Sequence, residues 1–285
     1  MKRTILWGAL PFLFSACGDK APELPETPQE MYEYAQKLLQ PSAEMPESDF
    51  AGALEWTRKA AEQGWLQAQL DMAGLYYAGG RGVQKDFKKA YYWFEQAAKQ
   101  GNNSAEVFLG LMLYAGEGVQ KDVQKAMEHW RIAAAHGVAE AQYRLGRLLA
   151  QQPGTVQEGV VFLEKAAREV PQAATALGNI FYKGVQGILS QDADKAAQWY
   201  EKGAMAGDPL AQLVLAEMLF VGEPIPRDEP RALAMLRMAA GQDYPAAMAR
   251  LVNVLRNAPN AAEYEQEAAA WEERLQEVLK QKKAK

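Results

Sequence analysis

Apolar side chains recur along this chain at a helical spacing, and the predicted helices themselves recur at a nearly constant interval. After Asp86, for example, Ala90, Trp93 and Ala97 fall on one side of a helix. Each such helix begins with a residue that can cap its free N–H groups, and these are Asp49, Asp86, Asp122, Thr155, Asp192 and Asp228. The steps between them are 37, 36, 33, 37 and 36 residues, a period that indicates stacked helical repeats.

The six helices share further positions that a repeat must keep for packing. Four residues after each cap the chain has a small residue, and seven after it has a bulky one. The bulky residues are Trp56, Trp93, His129, Phe162, Trp199 and Met235. Glycine ends most of these helices, as at Gly101 and Gly207, because it adopts a left-handed conformation without strain. In the fourth helix Thr155 and Glu158 predict a capping box.

Another helix precedes the capped helix in each unit, and we call it the first helix of that unit. It begins at a position that recurs along the chain. That position holds alanine throughout, in Ala68, Ala105, Ala141, Ala173, Ala211 and Ala247. Five residues later the side chain is small in most units, which lets two helices approach closely. The turn between the two helices is rich in glycine, as in Gly116 to Val119. Each period therefore predicts one antiparallel helix pair.

The stretch from Ala105 to Gly137 resembles a Sel1-like repeat, a helix-turn-helix relative of the tetratricopeptide repeat. The matching residues are Leu109-Gly110, Tyr114, Gly116-x-Gly118-Val119, Asp122, Ala126 and Ala133-Ala134. The resemblance implies an all-α fold, a right-handed α-solenoid of about six antiparallel helix pairs over residues 31–258. The unit that starts at Ala141 is shorter and lacks the Gly-x-Gly turn. Residues 259–285 predict a long amphipathic capping helix and a basic tail.

The amino terminus has the pattern of an export signal. Lys2 and Arg3 precede an apolar run from Ile5 to Phe14, which is too short to span a bilayer as a helix. Residues 1–16 are therefore predicted to be a signal peptide. The string Phe14-Ser15-Ala16-Cys17 resembles a bacterial lipobox, in which Cys17 becomes the lipid-bearing first residue. Phe14 departs from the aliphatic residue usual there, and the alternative is an ordinary signal followed by an accidental cysteine.

Cysteine usage favours the lipoprotein interpretation. Cys17 is the only cysteine, so no disulfide can form within the chain, and lipidation gives an exported free thiol a purpose. Residues 17–30 are then a lipidated cysteine followed by a proline-rich tether. In the lipoprotein family, Gly18 after the cysteine implies the outer membrane. The expected location is therefore a membrane-anchored lipoprotein on the outer membrane, facing the periplasm.

Composition and the lack of catalytic or metal-binding motifs in the sequence both favour a binding protein. The formal charge is −5, which argues against nucleic acid as a partner. His129 and His136 are seven residues apart, whereas a helical metal pair sits four apart. We interpret His129 as a packing substitution in the bulky column. The sequence predicts no catalytic, cofactor or metal site, and no enzyme activity.

In the absence of a catalytic motif, the candidate site is a binding surface on the first helices of the repeats. In related two-helix repeats the first helix of each unit lines the concave side, and its fourth and seventh residues face outward. From this stripe we predict seven partner-binding residues: Phe108, Leu111, Arg144, Arg147, Asn179, Glu217 and Arg250. The alternative for Phe108 and Leu111 is packing against the neighbouring unit. The hypothesis is a groove that takes an extended peptide or a partner's loop with apolar and acidic groups.

Three functions stay open on the sequence. The first is a non-catalytic interaction scaffold or assembly factor, held in the bacterial envelope by its lipid, that binds another protein. The second is a β-lactam-related hydrolase activity, which the resemblance attaches to a cysteine-rich subgroup with a disulfide in every repeat. This chain lacks those cysteines, which argues against it. The third is a cell-surface protein that binds a host protein.

Overall fold

The computed structural model describes residues 24–40 and 48–283. The predicted signal peptide, Cys17 and most of the proline-rich tether lie outside the described residues, as do the last two residues of the basic tail. The described part forms fourteen α-helices: α1 (Pro28–Leu38), α2 (Phe50–Glu62), α3 (Leu66–Ala78), α4 (Phe87–Lys99), α5 (Asn103–Ala115), α6 (Val123–Ala135), α7 (Ala139–Leu149), α8 (Val156–Ala166), α9 (Pro171–Lys183), α10 (Ala193–Met205), α11 (Pro209–Val221), α12 (Glu229–Gly241), α13 (Pro245–Arg256) and α14 (Ala261–Lys283).

The predicted all-α solenoid of helix pairs is confirmed. Helices pack as consecutive pairs, α5 with α6, α7 with α8, α9 with α10 and α11 with α12, and each pair packs on the next. The first helices of successive repeats also touch one another, from α7 through α9 and α11 to α13. The described residues contain no strand, only isolated β-bridges in two turns, Gly80 with Val83 and Val185 with Leu189.

The chain divides into two compact units, residues 1–72 and 73–285. In the described part of the first unit, α1 packs on α2 around Ala35, Leu38 and Ala53. The ring of Tyr34 meets the ring of Trp56 edge to face, with centroids 5.5 Å apart. Burial of these apolar groups stabilises the helix pair, which alone has little intrinsic stability.

In the second unit, small residues on each first helix face large residues on the second. An added Cβ at Gly110 would lie 2.3 Å from Nε1 of Trp130, and one at Gly178 would lie 2.7 Å from the ring of Tyr200. Trp130 and Tyr200 are each only 2% exposed. Glycine at these two positions is therefore what admits a buried aromatic side chain between the paired helices.

Capping follows the sequence prediction in five of the six repeats. The side chains of Asp49, Asp86, Asp122, Asp192 and Asp228 each accept a hydrogen bond from the backbone N–H three residues later. The glycines that follow these helices, such as Gly101 and Gly207, have φ of 79° and 93°, as the stop signal requires. An aspartate cap thus marks the start of these helices, and a glycine marks the end.

The capping box predicted for the fourth repeat is wrong. Thr155 makes no side-chain cap to α8 and instead closes a short 3₁₀ turn, Pro153–Thr155, where its hydroxyl donates to the carbonyl of Leu149 at 2.8 Å. An added Cβ at Gly159 would lie 2.5 Å from the backbone nitrogen of Ala150. The shortened repeat therefore brings its two helices into near backbone contact, and the threonine serves the turn.

A buried glutamine links successive repeats at three places. The side-chain amide of Gln69 donates to the carbonyl of Ala61 at 3.2 Å, Gln142 to Ala134 at 3.2 Å and Gln212 to Ala204 at 3.1 Å. Each donor is the fourth residue of its helix, and each acceptor is eight residues earlier, near the end of the preceding helix. We call this bond the glutamine latch. It adds a second hydrogen bond to a carbonyl near the helix end that already accepts one from the backbone N–H three residues later.

The last two helices form a different end to the chain. Within residues 259–285, α14 runs from Ala261 to Lys283 and so includes most of the basic tail; it packs on α13 and buries Ala268 and Val278. Trp271 packs against the same core. Ion pairs join α14 to the preceding helices: both carboxylate oxygens of Glu267 bind Arg237, at 2.7 and 2.8 Å, and Arg274 binds Asp243 at 3.0 and 2.8 Å.

Candidate functional site

Phe108 and Leu111, two of the predicted partner-binding residues, make extensive contacts within the repeat array. Phe108 stacks on Phe94, with centroids 4.6 Å apart and planes 4° from parallel, and it also meets Tyr77 edge to face. Leu111 is partly buried against the core of the third and fourth repeats. These contacts favour the packing alternative for both residues, and partner binding by them stays a prediction.

Arg144 and Arg147 differ in how far they reach from the array. Nη2 of Arg144 lies 2.5 Å from the carboxylate of Glu140 on the same helix, and its Nε is buried without a hydrogen-bond partner among the described residues. Arg147 is exposed, donates to the hydroxyl of Tyr143 at 3.3 Å and lies 5.4 Å from that ring. Arg144 thus pairs with a carboxylate on its own helix, and Arg147 is the more accessible of the two guanidinium groups.

Glu217 and Arg250 bind each other across adjacent repeats. Nε of Arg250 donates to one carboxylate oxygen at 2.5 Å and Nη2 donates to the other at 2.9 Å, a bidentate pair between α11 and α13. The guanidinium also lies 5.8 Å from the ring of Phe220. The carboxylate holds the pKa of the Arg250 guanidinium above its ordinary value. The arginine side chain therefore fills the junction of these two first helices.

Asn179 and Glu217 are brought together in one open cleft between α9 and α11, which we call the α9–α11 cleft. Its volume is about 770 Å³. It is lined by Asn179, Tyr182, Lys183, Ala193, Tyr200, Val214, Glu217, Met218, Val221, Glu223 and Pro224. The volume falls within the range of about 300–1,000 Å³ that is usual for ligand sites.

The lining combines exposed apolar side chains with polar ones. Tyr182 is 55% exposed and Val221 is 69% exposed, so two large apolar side chains beside the cleft are open to solvent. Tyr200 forms the back wall, and its hydroxyl donates to Oδ1 of Asn179 at 2.9 Å. Burial raises the pKa of Tyr200 to about 12, so its hydroxyl stays a neutral donor.

One residue position explains why this cleft is open. The fourth residue counted from the alanine column is Phe108 in α5 and Arg250 in α13, and each of these long side chains contacts the preceding repeat. In α7 it is Arg144, which pairs with Glu140 on its own helix. In α11 the same position is Val214, which lines the cleft without filling it. Two short side chains, Ala176 in α9 and Val214 in α11, stand between the arginines of α7 and α13 in the repeat alignment, and this is the signal that sequence reasoning overlooked.

Other members of the cleft carried no sequence signal at all. Tyr182 and Met218 belong to columns that are apolar in most repeats, and Pro224 lies in an irregular turn after α11. Their convergence depends on the angle between helices of successive repeats, which a single sequence does not encode in any short pattern.

His129 is engaged in a pair that the sequence did not predict. Its Nδ1 lies 2.6 Å from Oε2 of Glu106, a carboxylate on α5 whose residue is 8% exposed. Glu106 holds the position that carries the latch glutamine in three other repeats. The described residues contain no group of three or more His, Cys, Asp and Glu side chains that could hold a metal ion. Within the same residues, no helix is both long and apolar enough to cross a membrane.

Comparison with known proteins agrees with this architecture. The family model described as the Sel1 repeat matches residues 31–65, 66–102, 103–138, 139–169, 171–208 and 209–244. Each matched stretch holds one helix pair, from α1 with α2 to α11 with α12. The chain therefore carries six matched repeats, after which α13 and α14 follow.

Solved structures are similar over most of this chain. The crystal structure of c5321, a protective antigen present in uropathogenic Escherichia coli strains displaying an SLR fold, is 27% identical with a TM-score of 0.73 and covers 88% of this chain. A Sel1 repeat protein from Oxalobacter formigenes is 28% identical with a TM-score of 0.65 and covers 80% of this chain. The match spans 53% of the first structure's chain and 66% of the second's. No curated protein sequence matches this chain at a significant level.

Proposed function

This chain belongs to the Sel1 repeat family, and we propose that it is a non-catalytic scaffold or assembly factor that binds another protein through the first helices of its repeats. Arrays of this kind generally serve protein–protein interaction, because their repeats present an extended surface of regularly placed side chains. The single observation that carries the proposal is the open α9–α11 cleft, in which Tyr182 and Val221 remain uncovered.

The cleft suits an extended segment of a partner better than a compact small molecule. Its centre offers apolar contact, while the amide of Asn179 and the carboxylate of Glu223 offer polar groups at the edge. Exposed large apolar groups rimmed by polar ones are typical of interaction sites. Of the predicted stripe, Asn179 and Glu217 would contact the partner here, while Phe108, Leu111, Arg144, Arg147 and Arg250 line the flanking repeats.

The membrane anchor is the second part of the proposal. We infer that residues 1–16 are removed as a signal, that Cys17 bears lipid, and that the segment with Pro22 and Pro25, before α1 begins at Pro28, forms an extended tether. The array would then act at the outer membrane, facing the periplasm. Spaced prolines support this because they keep a linker extended and hold the array away from the bilayer surface.

The proposed function can be tested by crosslinking in cells. A photoreactive residue would replace Val221 or, as a matched control outside the cleft, exposed Met205 of the lipid-anchored protein. We expect one partner, identified by mass spectrometry, to be joined at the first position and absent at the second. A Cys17→Ser variant should lose both the membrane fraction and the partner. An anchored, folded protein that is joined to no partner from any first-helix position would refute the scaffold.

Similarity to c5321 supports one further candidate function. That protein is a protective antigen in its own organism, and a related role here would place the array on the cell surface, where it would bind a host protein. Protease treatment of intact cells distinguishes the two, since a periplasmic array is shielded and a surface array is digested. Hydrolysis of a β-lactam is the least favoured alternative, because the subgroup's repeat cysteines are missing; a chromogenic cephalosporin left intact by the purified protein would exclude it.

A further inference from the structure

The shape of the α9–α11 cleft favours one large apolar side chain from a partner. Tyr182 and Val221 are open to solvent, and Val214 and Met218 lie beside them in the lining. Covering such apolar surface is favourable by about 25 cal/mol for each Å² removed from water. A bulky side chain such as Leu, Phe or Trp would contact all four residues at once.

The polar groups of the cleft fit a peptide backbone beside that side chain. Oδ1 of Asn179 already accepts the Tyr200 hydroxyl at 2.9 Å, so the group that Asn179 offers a ligand is its amide donor. That donor fits the carbonyl of an extended peptide, whose backbone groups need partners when water is excluded.

The charges around the cleft favour a cation next to the apolar side chain. Arg250 neutralises Glu217, whereas Glu223 is exposed and makes no ion pair within the part of the chain described here. Asp194, also exposed, follows Ala193 in the first turn of α10. Lys183 is the cation of the lining. Lys195, in the same turn as Asp194, lies over the ring of Phe181 at 3.9 Å from its centroid, so the two exposed carboxylates outnumber the one cation of the lining.

Helix ends add to the negative potential. Lys183 and Val221 are the last residues of α9 and α11, so the partial negative charge of two helix C-termini lies at the cleft. The N-terminus of α10 is also close, but the side chain of Asp192 caps it by accepting from the N–H of Lys195 at 2.8 Å. A ligand cation is stabilised by this arrangement, and a ligand carboxylate is not.

We propose that the α9–α11 cleft binds an extended peptide segment in which a bulky apolar residue is followed by Lys or Arg. This rests on the proposed scaffold function and names the partner's chemistry. It also replaces the apolar and acidic partner expected from the sequence, because the arginines behind that expectation, Arg144 and Arg147, lie on α7, outside the lining of this cleft.

A phage-displayed library of short random linear peptides, selected on the purified repeat protein, tests this chemistry directly. We expect the selected sequences to share an apolar residue followed by a basic one. A synthetic peptide of the selected sequence, labelled for fluorescence anisotropy, then gives Kd values for variants. Val214→Arg, which copies Arg144 and Arg250, should raise Kd by about tenfold or more, because it fills the cleft.

Two further variants keep the test informative if Val214→Arg fails to fold. Val221→Asp changes a side chain that is 69% exposed and should weaken the peptide without affecting the fold. Glu223→Lys should shift the selected sequences from a basic to an acidic second residue. Glu273→Lys, the same charge change at an exposed position of α14, is the matched control and should leave selection unchanged.

The outcomes separate the cleft from the scaffold function. Selected peptides that bind equally well to Val221→Asp and Glu223→Lys would overturn the cleft proposal. Failure to select any peptide, while crosslinking in cells still finds a partner, would leave the scaffold standing and refute peptide recognition. Failure of both experiments would refute the scaffold and the cleft together.

Discussion

Two neighbouring junctions of first helices, α9 with α11 and α11 with α13, share Glu217 and have opposite characters. Between α11 and α13, Arg250 crosses the gap and binds both carboxylate oxygens of Glu217. Between α9 and α11, Val214 holds the equivalent position and the gap stays open as a cleft of about 770 Å³. The two junctions differ in the side chain at this position of the repeat. A long arginine closes one junction, and a short valine lines the other, which is open.

The first test of this difference is to disturb the wall of the open junction. Gly178→Ala places a Cβ 2.7 Å from the buried ring of Tyr200. We expect a loss of about 1–3 kcal/mol in unfolding free energy, measured by urea denaturation, since either the ring or the helix must shift to relieve this contact. Gly154→Ala is the matched control, because its added Cβ meets nothing within 4 Å. Equal stability of the two variants would contradict the packing described for Tyr200.

The second is to convert the filled junction into an open one. Arg250→Val removes two hydrogen bonds to Glu217, leaves that carboxylate unpaired and uncovers Phe220. We expect a loss of about 1–2 kcal/mol in unfolding free energy. The freed carboxylate should also tighten binding of a basic peptide at the α9–α11 cleft several-fold. Weaker binding in this variant, with the fold intact by circular dichroism, would argue against an electrostatic preference for cations.

The third test concerns Tyr200, which forms the back wall of the α9–α11 cleft. Tyr200→Phe keeps the ring and deletes the hydrogen bond to Asn179, which should cost about 1 kcal/mol. The pKa of Tyr200 is raised from 10.0 to about 12, so its neutral form is the one stabilised by folding. Its contribution is full below pH 10 and is lost as pH rises towards 12.

Unfolding free energies measured across that alkaline range give the check. The wild-type protein should lose more stability between pH 10 and 12 than the Tyr200→Phe variant. Identical slopes in the two proteins would mean that Tyr200 is ionised as easily in the fold as in the unfolded chain.

The smallest expected effect on stability is also the most selective for function. Val221→Ser alters an exposed side chain and should change the unfolding free energy by less than about 0.5 kcal/mol. Anisotropy with the selected peptide should nevertheless show several-fold weaker binding. A peptide that binds the variant as tightly as the wild type would remove Val221, and with it the open end of the cleft, from the site.

The fold was predictable because its determinants are local and repeated. Capping by Asp86 or Asp192 needs only residues within one turn, and the glycine stops need only one backbone conformation. The fourth repeat escaped the same reasoning, since Thr155 has a competing acceptor in Leu149 that only the folded chain brings near it. A residue type that usually caps a helix predicts a cap only when no group elsewhere in the fold competes for its side chain.

The candidate site was predictable only in part. The stripe rule included Asn179 and Glu217, which line the cleft, but it favoured long and charged side chains. Arg250 pairs with Glu217 and Phe108 stacks on Phe94, both within the array. The informative residue was the short one, Val214, because a binding cleft forms where a side chain is missing. Tyr182 and Pro224 join it through helix geometry, which no sequence period specifies.

The glutamine latch has a consequence for how the array comes apart. It joins α2 to α3, α6 to α7 and α10 to α11, whereas the same position holds Glu106, Ala174 and Met248 at the junctions between. Bonds therefore alternate along the array. In a chain whose stability is a sum over neighbouring contacts, breaks concentrate at the weaker interfaces. Hydrogen exchange should reveal blocks of two repeats that open together, each carrying one latch at its centre.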